Sequence, residues 1–176
     1  DGVVDAKDLE LLTRYLGTVI PELGLIAHWK LDETEGRVAF DSAGTNNGTL
    51  IGNPTWQPTG GKLGGALQLD GVDDYVSTAF VLDPAAGPFS VFAWVKGGAP
   101  GQVILSQAGG VNWLMAASSS GVLMTEVRQA SRQDKPLISA TSTTDGAWHR
   151  AGFVWDGSNR ILYVDGVEAA RDTQAS

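Results

Sequence analysis

The feature that most constrains this fold is a succession of short strand-like runs from residue 25 onward. Each run is rich in β-branched or aromatic residues and is bounded by Gly, Pro, Asp or Asn. Turn signals recur about every 8–12 residues, a spacing typical of β-sandwiches and barrels. The sequence therefore predicts an all-β, antiparallel β-sandwich. Its runs are LIAHWKL (25–31), ALQLD (66–70), YVSTAFVL (75–82), FSVFAWVK (89–96), QVILSQ (102–107), VNWLMAA (111–117), GVLMTEVRQ (121–129), HRAGFVW (149–155) and RILYVDG (160–166).

Two segments predict tight hairpin turns near the end of the chain. Residues 156–159 read DGSN, and Asp165 is followed by Gly166. Asp-Gly pairs favour type I′ turns because both central positions of such a turn need a positive φ. We therefore expect three consecutive strands to be joined by these two turns.

The first residues differ from the rest because their apolar pattern is helical. Three leucines recur at helical spacing between residues 9 and 16, Asp8 is a candidate N-cap, and Gly17 is a candidate stop. Residues 18–24 contain a proline and a glycine that interrupt regular structure. The sequence predicts a short α-helix in residues 1–17, a linker over 18–24 and a β-domain over 25–176.

Composition excludes several classes of function. The chain has 20 Asp and Glu against 12 Lys and Arg, for a net charge of −8. This balance argues against nucleic acid, whose phosphates need clustered cations, and favours metal cations or a neutral ligand such as a sugar. The absence of cysteine excludes disulfides, thiol catalysis and Cys-based zinc sites. No apolar run approaches the roughly 18–20 residues of a membrane span, so we expect no membrane partner.

Four segments, in order, resemble the laminin-G-like, concanavalin A-like jelly-roll domains of bacterial secreted proteins. The resemblance implies a jelly roll over residues 25–176 and an extracellular module that is part of a larger protein. The segments read LIAHWKLDE with the DSAGTNNGTL that follows it, ALQLDGVDDYV, PFSVFAWVK and WHRAGFVWDGSNRILYVDGVE.

The resemblance also implies that the jelly roll lacks its C-terminal closing strand. Domains of this family usually end with a strand that returns beside the first one. We therefore expect an unpaired sheet edge near residues 25–31. Such an edge recruits other chains or needs a cover, so a homodimer, strand exchange and the N-terminal helix are its candidate partners.

The start of the chain resembles the second calcium-loop repeat of a type I dockerin, an EF-hand-like module. Asp1, Gly2, Asp5 and Asp8 match the fifth, sixth, ninth and twelfth positions of that loop, while its first two ligands are missing. This implies a partial calcium site at Asp1, Asp5 and Asp8, since Ca²⁺ takes 6–8 oxygen ligands. The alternative is a plain amphipathic helix.

The loop DSAGTNNG (41–48) predicts a calcium site. Its candidate ligands are Asp41, Gly44, Asn46 and Gly48, which together supply a carboxylate, an amide and exposed carbonyls. The resemblance points to the same loop, because related domains often place a structural calcium there. The alternative, that Asp and Asn cap turns through their own backbone, stays open.

A second acidic cluster lies at Asp70, Asp73 and Asp74. Three carboxylates in one turn suit calcium. The competing interpretation, which we favour, is that Asp70 and Gly71 build the turn while the other two face water.

Candidate ligand contacts are Trp56, Trp113, Glu126 and Arg128. Sugar rings pack on aromatic faces, and Trp56 lies in a proline-bracketed loop while Trp113 follows a glycine pair. The alternation of GVLMTEVRQ puts Met124, Glu126 and Arg128 on one sheet face, with Trp113 and Met115 on a neighbouring strand. Core packing of both tryptophans and a solvated Glu126–Arg128 ion pair are the alternatives. Trp94 and Trp148 are predicted to be core residues.

The motifs give little support to catalysis. Glycosidases need two carboxyl groups across the scissile bond, and no strand in the sequence carries a matching pair. Glu126 is the candidate catalytic residue if the chain is an enzyme.

The sequence therefore predicts a non-catalytic carbohydrate-binding or adhesive module of a secreted bacterial polysaccharide-degrading protein, with a structural calcium. Its expected partner is a polysaccharide or another glycan. The alternative function is a glycoside or ester hydrolase on the same scaffold.

Overall fold

The computed structural model describes residues 24–79, 81–107, 111–117, 119–127 and 135–173. Over these ranges the chain forms strands and one short 3-10 helix, so the predicted all-β class is confirmed. No helix in the same ranges has the length and apolar character needed to cross a membrane. The predicted helix within residues 1–17 and the partial calcium site at Asp1, Asp5 and Asp8 lie outside the described residues.

The chain divides into two compact units, residues 1–82 and 83–176. In the first unit, three short strands form an antiparallel sheet in the order β1-β2-β5, and two others pair as a hairpin, β3-β4. Ala39 and Leu50 of the sheet are buried. The strands are β1 (Val38–Ala39), β2 (Gly48–Ile51), β3 (Thr55–Gln57), β4 (Ala66–Gln68) and β5 (Tyr75–Ser77).

The strand predicted over residues 25–31 is wrong. This segment makes one isolated bridge, between Trp29 and Asp41, and Leu31 has a left-handed φ of 56° that ends any extended run. Its backbone bonds to the loop that follows β1 instead, where the Ser42 amide donates to the His28 carbonyl at 2.8 Å. The homodimer or strand exchange that rested on an edge here stays a prediction.

The second unit is a sandwich of two four-stranded antiparallel sheets. We call the sheet ordered β10-β9-β8-β7 sheet I and the sheet ordered β13-β12-β11-β6 sheet II. A short 3-10 helix, Pro84–Ala86, precedes sheet II. The strands are β6 (Phe89–Lys96), β7 (Val103–Gln107), β8 (Val111–Ala116), β9 (Val122–Thr125), β10 (Leu137–Ser142), β11 (Trp148–Trp155), β12 (Asn159–Val164) and β13 (Val167–Thr173).

The core of the second unit lies between its sheets. Phe153 and Leu162 of sheet II and Leu114 and Leu123 of sheet I are fully buried. β11 contacts β8, and β12 contacts β9, so these side chains come from strands that pack across the sandwich. Burying each large apolar side chain contributes about 1.5–3 kcal/mol to folding, which makes this layer the main apolar stabilisation of the unit.

Both predicted hairpin turns are confirmed. Asp165 and Gly166 have φ values of 53° and 83°, as a type I′ turn requires, and they join β12 to β13. Asp156 holds the other turn, because its Oδ1 accepts the backbone N–H groups of Ser158 and Asn159 at 2.8 and 2.7 Å. β13 was expected only as the strand that follows the second turn, because its own residues were not identified as a strand-like run, and the absence of a further closing strand stays a prediction.

Arg160 of β12 is the largest fully buried side chain in the described structure, with an exposed fraction of 2%. Its Nε and Nη2 groups bond the two carboxylate oxygens of Asp172 on β13. Nη1 donates to the Val127 carbonyl at 2.6 Å, and Nη2 donates to the Lys135 carbonyl at 3.1 Å. Val127 follows β9 and Lys135 precedes β10, so one guanidinium joins sheet II to both of these strands of sheet I.

We predict that Arg160→Met lowers the free energy of unfolding by about 3 kcal/mol. Methionine keeps most of the volume but leaves the Asp172 carboxylate and two carbonyls without their donor. Urea denaturation followed by circular dichroism measures the change. Arg171→Met is the matched control, because Arg171 is exposed and pairs with exposed Glu168, and we expect a loss under about 1 kcal/mol. Equal losses in the two variants would contradict the role of Arg160.

Candidate functional site

The carboxylate of Asp41 anchors the loop that the sequence offers for calcium. Asp41 is buried, with an exposed fraction of 7%. Its Oδ1 accepts the amides of His28 and Ala43 at 2.8 and 2.9 Å, and its Oδ2 accepts the amide of Asn46 at 3.0 Å. Burial acts to raise the pKa of Asp41, but these N–H donors outweigh it and hold the pKa below its usual value.

The other predicted calcium ligands also make contacts within the protein. The Asn46 carbonyl accepts the indole N–H of Trp29 at 2.8 Å, and the Asn46 side-chain amide donates to the Ile26 carbonyl at 3.4 Å. Gly48 lies in β2, where it pairs with Ala39, and Gly44 packs beside the Asp41 carboxylate. A carboxylate ringed by N–H dipoles is poorly disposed to a cation, so the geometry favours the turn-capping alternative. Calcium binding here stays a prediction.

The second acidic cluster also has the geometry of a turn. Asp70 Oδ1 accepts the Val72 amide at 2.8 Å, and the backbone N–H groups of the turn, that of Val72 first, lower the pKa of Asp70. Asp74 Oδ1 accepts the Asn53 amide at 2.6 Å, and its Oδ2 accepts the Asp70 amide at 3.0 Å. The ligand atoms of Asp70, Asp73 and Asp74 lie within 4.8 Å of one another. These hydrogen bonds agree with Asp70 as the residue that builds the turn, but the expectation that Asp74 faces water is wrong, because Asp74 is half-buried and bonds the Asn53 amide.

The two tryptophans predicted to contact a ligand lie in different units. Trp56 of β3 is half-buried, and its indole N–H donates to the Gly36 carbonyl at 2.9 Å. Trp113 of β8 is buried, with an exposed fraction of 8%, and its ring centroid lies 5.3 Å from that of Phe89. Within the described ranges, the Trp113 indole nitrogen has no hydrogen-bond partner. These positions favour the packing alternative for Trp113.

The sheet face predicted to hold sugar is covered at its centre. Met115 and Met124 are direct cross-strand partners, as expected, but both are buried in one apolar cluster with Ala117. Glu126 follows β9 and is half-buried, and its Oε2 accepts the side-chain amide of Asn112 at 2.6 Å. Arg128 lies outside the described residues.

An exposed aromatic surface lies elsewhere, on sheet II. Trp94, which the sequence predicted as a core residue, has an exposed fraction of 39%, and Phe92 has one of 42%. The core prediction for Trp94 is therefore wrong. Burial alternates along β6, and its exposed positions are Ser90, Phe92, Trp94 and Lys96. A serine and a lysine share the period-two face of these aromatics, a polar pattern that agrees with exposure but does not by itself say which face meets the other sheet.

The pairing of β6, β11 and β12 extends this surface across three strands. Trp94 of β6 pairs with Arg150 of β11, while Gly152 pairs with Phe92 on one side and with Tyr163 of β12 on the other. The Phe92 and Tyr163 rings lie 6.4 Å apart, inclined at 46°. We call Phe92, Trp94, Arg150 and Tyr163 the aromatic strip. Period-two alternation places all four side chains on the same face of sheet II.

Gly152 leaves room for the Phe92 ring over β11. A Cβ built at Gly152 would overlap the Cε1 and Cδ1 atoms of the Phe92 ring. The glycine therefore supplies the space in which the ring crosses β11. The Arg150 guanidinium lies over the same Phe92 ring, with its Cζ 4.6 Å from the ring centroid.

His149, the residue before Arg150 of the aromatic strip, lies between two carboxylates. His149 Nδ1 bonds Asp165 Oδ2 at 2.8 Å, and its Nε2 bonds Asp145 Oδ1 at 2.9 Å. The Asp165 carboxylate, and then that of Asp145, raise the pKa of His149. Asp165 Oδ1 also accepts the Arg150 amide at 2.8 Å, so this cluster fixes the backbone that carries Arg150.

Comparison with known proteins identifies the family. The Laminin_G_3 model, described as the concanavalin A-like lectin/glucanases superfamily, matches residues 70–176, more than half of the chain. The chain belongs to this superfamily. The concanavalin A-like fold that the four sequence segments implied is thereby confirmed. The comparison with curated proteins finds no match.

A solved structure shares the fold of this concanavalin A-like chain. It is domain 4 of AbnA, a GH43 extracellular arabinanase from Geobacillus stearothermophilus, in complex with arabinotriose. The TM-score is 0.51 at 20% sequence identity, over 86% of this chain and 76% of the arabinanase domain. At this identity the similarity concerns the fold.

We predict that Asp41→Asn lowers the free energy of unfolding by about 2 kcal/mol, because an amide NH₂ would face backbone donors that need an acceptor. Chemical denaturation measures the loss, and Asp32→Asn, at an exposed carboxylate of the same unit, is the control. Loss of the same size in the control would refute the anchoring role. A melting temperature that rises with added calcium in the parent but not in Asp41→Asn would support the predicted calcium site.

The His149 cluster predicts a pH-dependent stability. The pKa of His149 is raised in the folded state. The charged histidine therefore stabilises the fold fully below the unfolded-state pKa of about 6.5, and this stabilisation is lost as pH rises through the folded-state pKa. We expect the melting temperature to fall over that window, and to fall less in His149→Gln. The control is His28→Gln, in which the melting temperature should fall with pH as steeply as in the parent. If the melting temperatures of the parent and of His149→Gln fell equally with pH, the link between His149 protonation and stability would be ruled out.

Proposed function

We propose that this chain is a non-catalytic carbohydrate-binding module and that the aromatic strip of sheet II is its sugar-binding surface. The observation that carries the proposal is the exposure of Phe92 and Trp94, beside the half-buried ring of Tyr163, on one face of a regular sheet. Apolar side chains normally turn away from water, and clustered exposure of this kind marks interaction sites. The rings are held at fixed positions by strand register, which suits a rigid ligand.

The chemistry of the strip supports a sugar over an apolar ligand. Sugar rings carry C–H groups that pack on aromatic faces and hydroxyl groups that need hydrogen-bond partners. Phe92, Trp94 and Tyr163 supply the faces, while the Tyr163 hydroxyl and the Arg150 guanidinium supply polar groups beside them. The 6.4 Å between the Phe92 and Tyr163 centroids is that of a direct aromatic pair, so the two rings form one continuous apolar patch.

Membership of the lectin/glucanase superfamily and the arabinotriose complex of the similar arabinanase domain add support. That arabinanase is extracellular, so we extend the proposal to an extracellular module of a larger protein. A bound calcium ion is a separate part of the proposal, and the stacking contacts do not depend on it. Binding is therefore to be measured with calcium and with a chelator.

We expect Trp94→Ala to weaken glycan binding about five- to tenfold, because loss of one stacking contact removes roughly 1–1.4 kcal/mol. A glycan array followed by isothermal titration calorimetry on the best ligand measures the effect. Phe40→Ala is the matched control, since Phe40 is an exposed aromatic residue of the first unit, and it should bind like the parent.

Trp56→Ala tests the site that the sequence predicted. A loss of affinity in Trp56→Ala with none in Trp94→Ala would move the site to the first unit. Absence of binding to every glycan, with and without calcium, would sink the proposed function.

A further inference from the structure

We infer that the aromatic strip selects glycans that carry acidic sugars, with Arg150 and Lys96 as the groups that recognise the sugar carboxylate. This inference rests on the proposed function and names its substrate class. It comes from the charges on the outer face of sheet II rather than from its aromatic rings.

The strip carries positive charge in an acidic chain. The net charge is −8, yet the exposed positions of β6 and β11 around the strip include Lys96 and Arg150. Register places Arg150 beside Trp94, and Lys96 is two residues further along β6 on the same face. Two cations gathered at one aromatic surface of an acidic protein are complementary to an anionic ligand.

Arg150 differs from other arginines of the described structure in its surroundings. Arg160 binds Asp172, and Arg171 binds Glu168, whereas the Arg150 guanidinium makes no ion pair or hydrogen bond within the described residues. It lies over the Phe92 ring, with its Cζ 4.6 Å from the ring centroid, where a cation–π contact restrains it.

A carboxylate is the ligand group that this arrangement suits. A planar guanidinium binds a carboxylate through two parallel N–H bonds, and prior stacking on an aromatic ring reduces the freedom lost on binding. A sugar acid supplies that carboxylate together with a pyranose ring for the neighbouring aromatic faces. Trp94 then contacts the sugar ring while Arg150, which lies over Phe92, holds the acid group, and Lys96 adds charge at the margin.

The test uses two ligands that differ in charge and, apart from the ester methyl groups, have the same structure. Oligogalacturonate and its full methyl ester have the same rings and the same length, and titration calorimetry compares their affinities at low salt and at about 0.5 M salt, where exposed charges are screened. We expect the free acid to bind at least about threefold tighter at low salt, the size of effect given by exposed charge pairs. The preference should shrink at high salt.

Variants assign the preference to the strip. Arg150→Gln should bring the ratio of free-acid to ester affinity close to one, even if the affinity for the ester also falls, and Lys96→Gln should reduce that ratio. Arg171→Gln, on the same sheet but paired with Glu168, is the matched control and should keep the full preference. Melting curves confirm that each variant is folded.

Three results would overturn the inference. They are equal or tighter binding of the ester, a preference that survives in Arg150→Gln, and binding confined to neutral glycans such as arabinotriose. The last result leaves the carbohydrate-binding proposal standing, whereas no binding to any glycan removes both.

Discussion

The guanidinium of Arg160 has to find hydrogen-bond acceptors inside a closed sandwich, and this requirement organises the second unit. A buried cation without partners is strongly unfavourable, so the fold must deliver acceptors from several directions. Asp172 lies on the neighbouring strand, and the carbonyls of Val127 and Lys135 belong to segments that flank β9 and β10. The same contacts fix the register of β12 against β13. They also fix where sheet I sits over sheet II.

That register determines the outer face of sheet II. Tyr163 lies three residues after Arg160 on β12 and pairs with Gly152, which in turn pairs with Phe92. A one-residue slip would send these side chains to the core side, so the strip exists only in the observed pairing. The Asp165-Gly166 turn closes β12 and supplies the carboxylate that holds His149 and the Arg150 amide. Core and surface of this unit are therefore set by the same strand alignments.

Local sequence predicted most strands of the second unit, because runs such as FSVFAWVK and HRAGFVW combine β propensity with clear turn boundaries. It failed for residues 25–31, whose apolar run looks the same but is held by Asp41 and the loop after β1 instead of a ladder partner. The prediction of the binding site was less accurate than the prediction of the strands. Trp113 and the paired methionines are buried, while Trp94 is exposed. An aromatic residue in an alternating run has a defined face, but the run does not say which face meets the other sheet.

By itself, the sequence determined the all-β class, the superfamily and two hairpin turns, because β propensity, turn chemistry and local motifs are encoded within a few neighbouring residues. Only the tertiary structure decided which carboxylates cap turns, which arginine is buried and which aromatics face water. Each of these depends on residues far apart in the chain. Asp41 meets His28, Arg160 meets Val127, and Phe92 crosses Gly152 only after the strands have aligned. The candidate binding surface is therefore a product of strand register, which no single run of the sequence specifies.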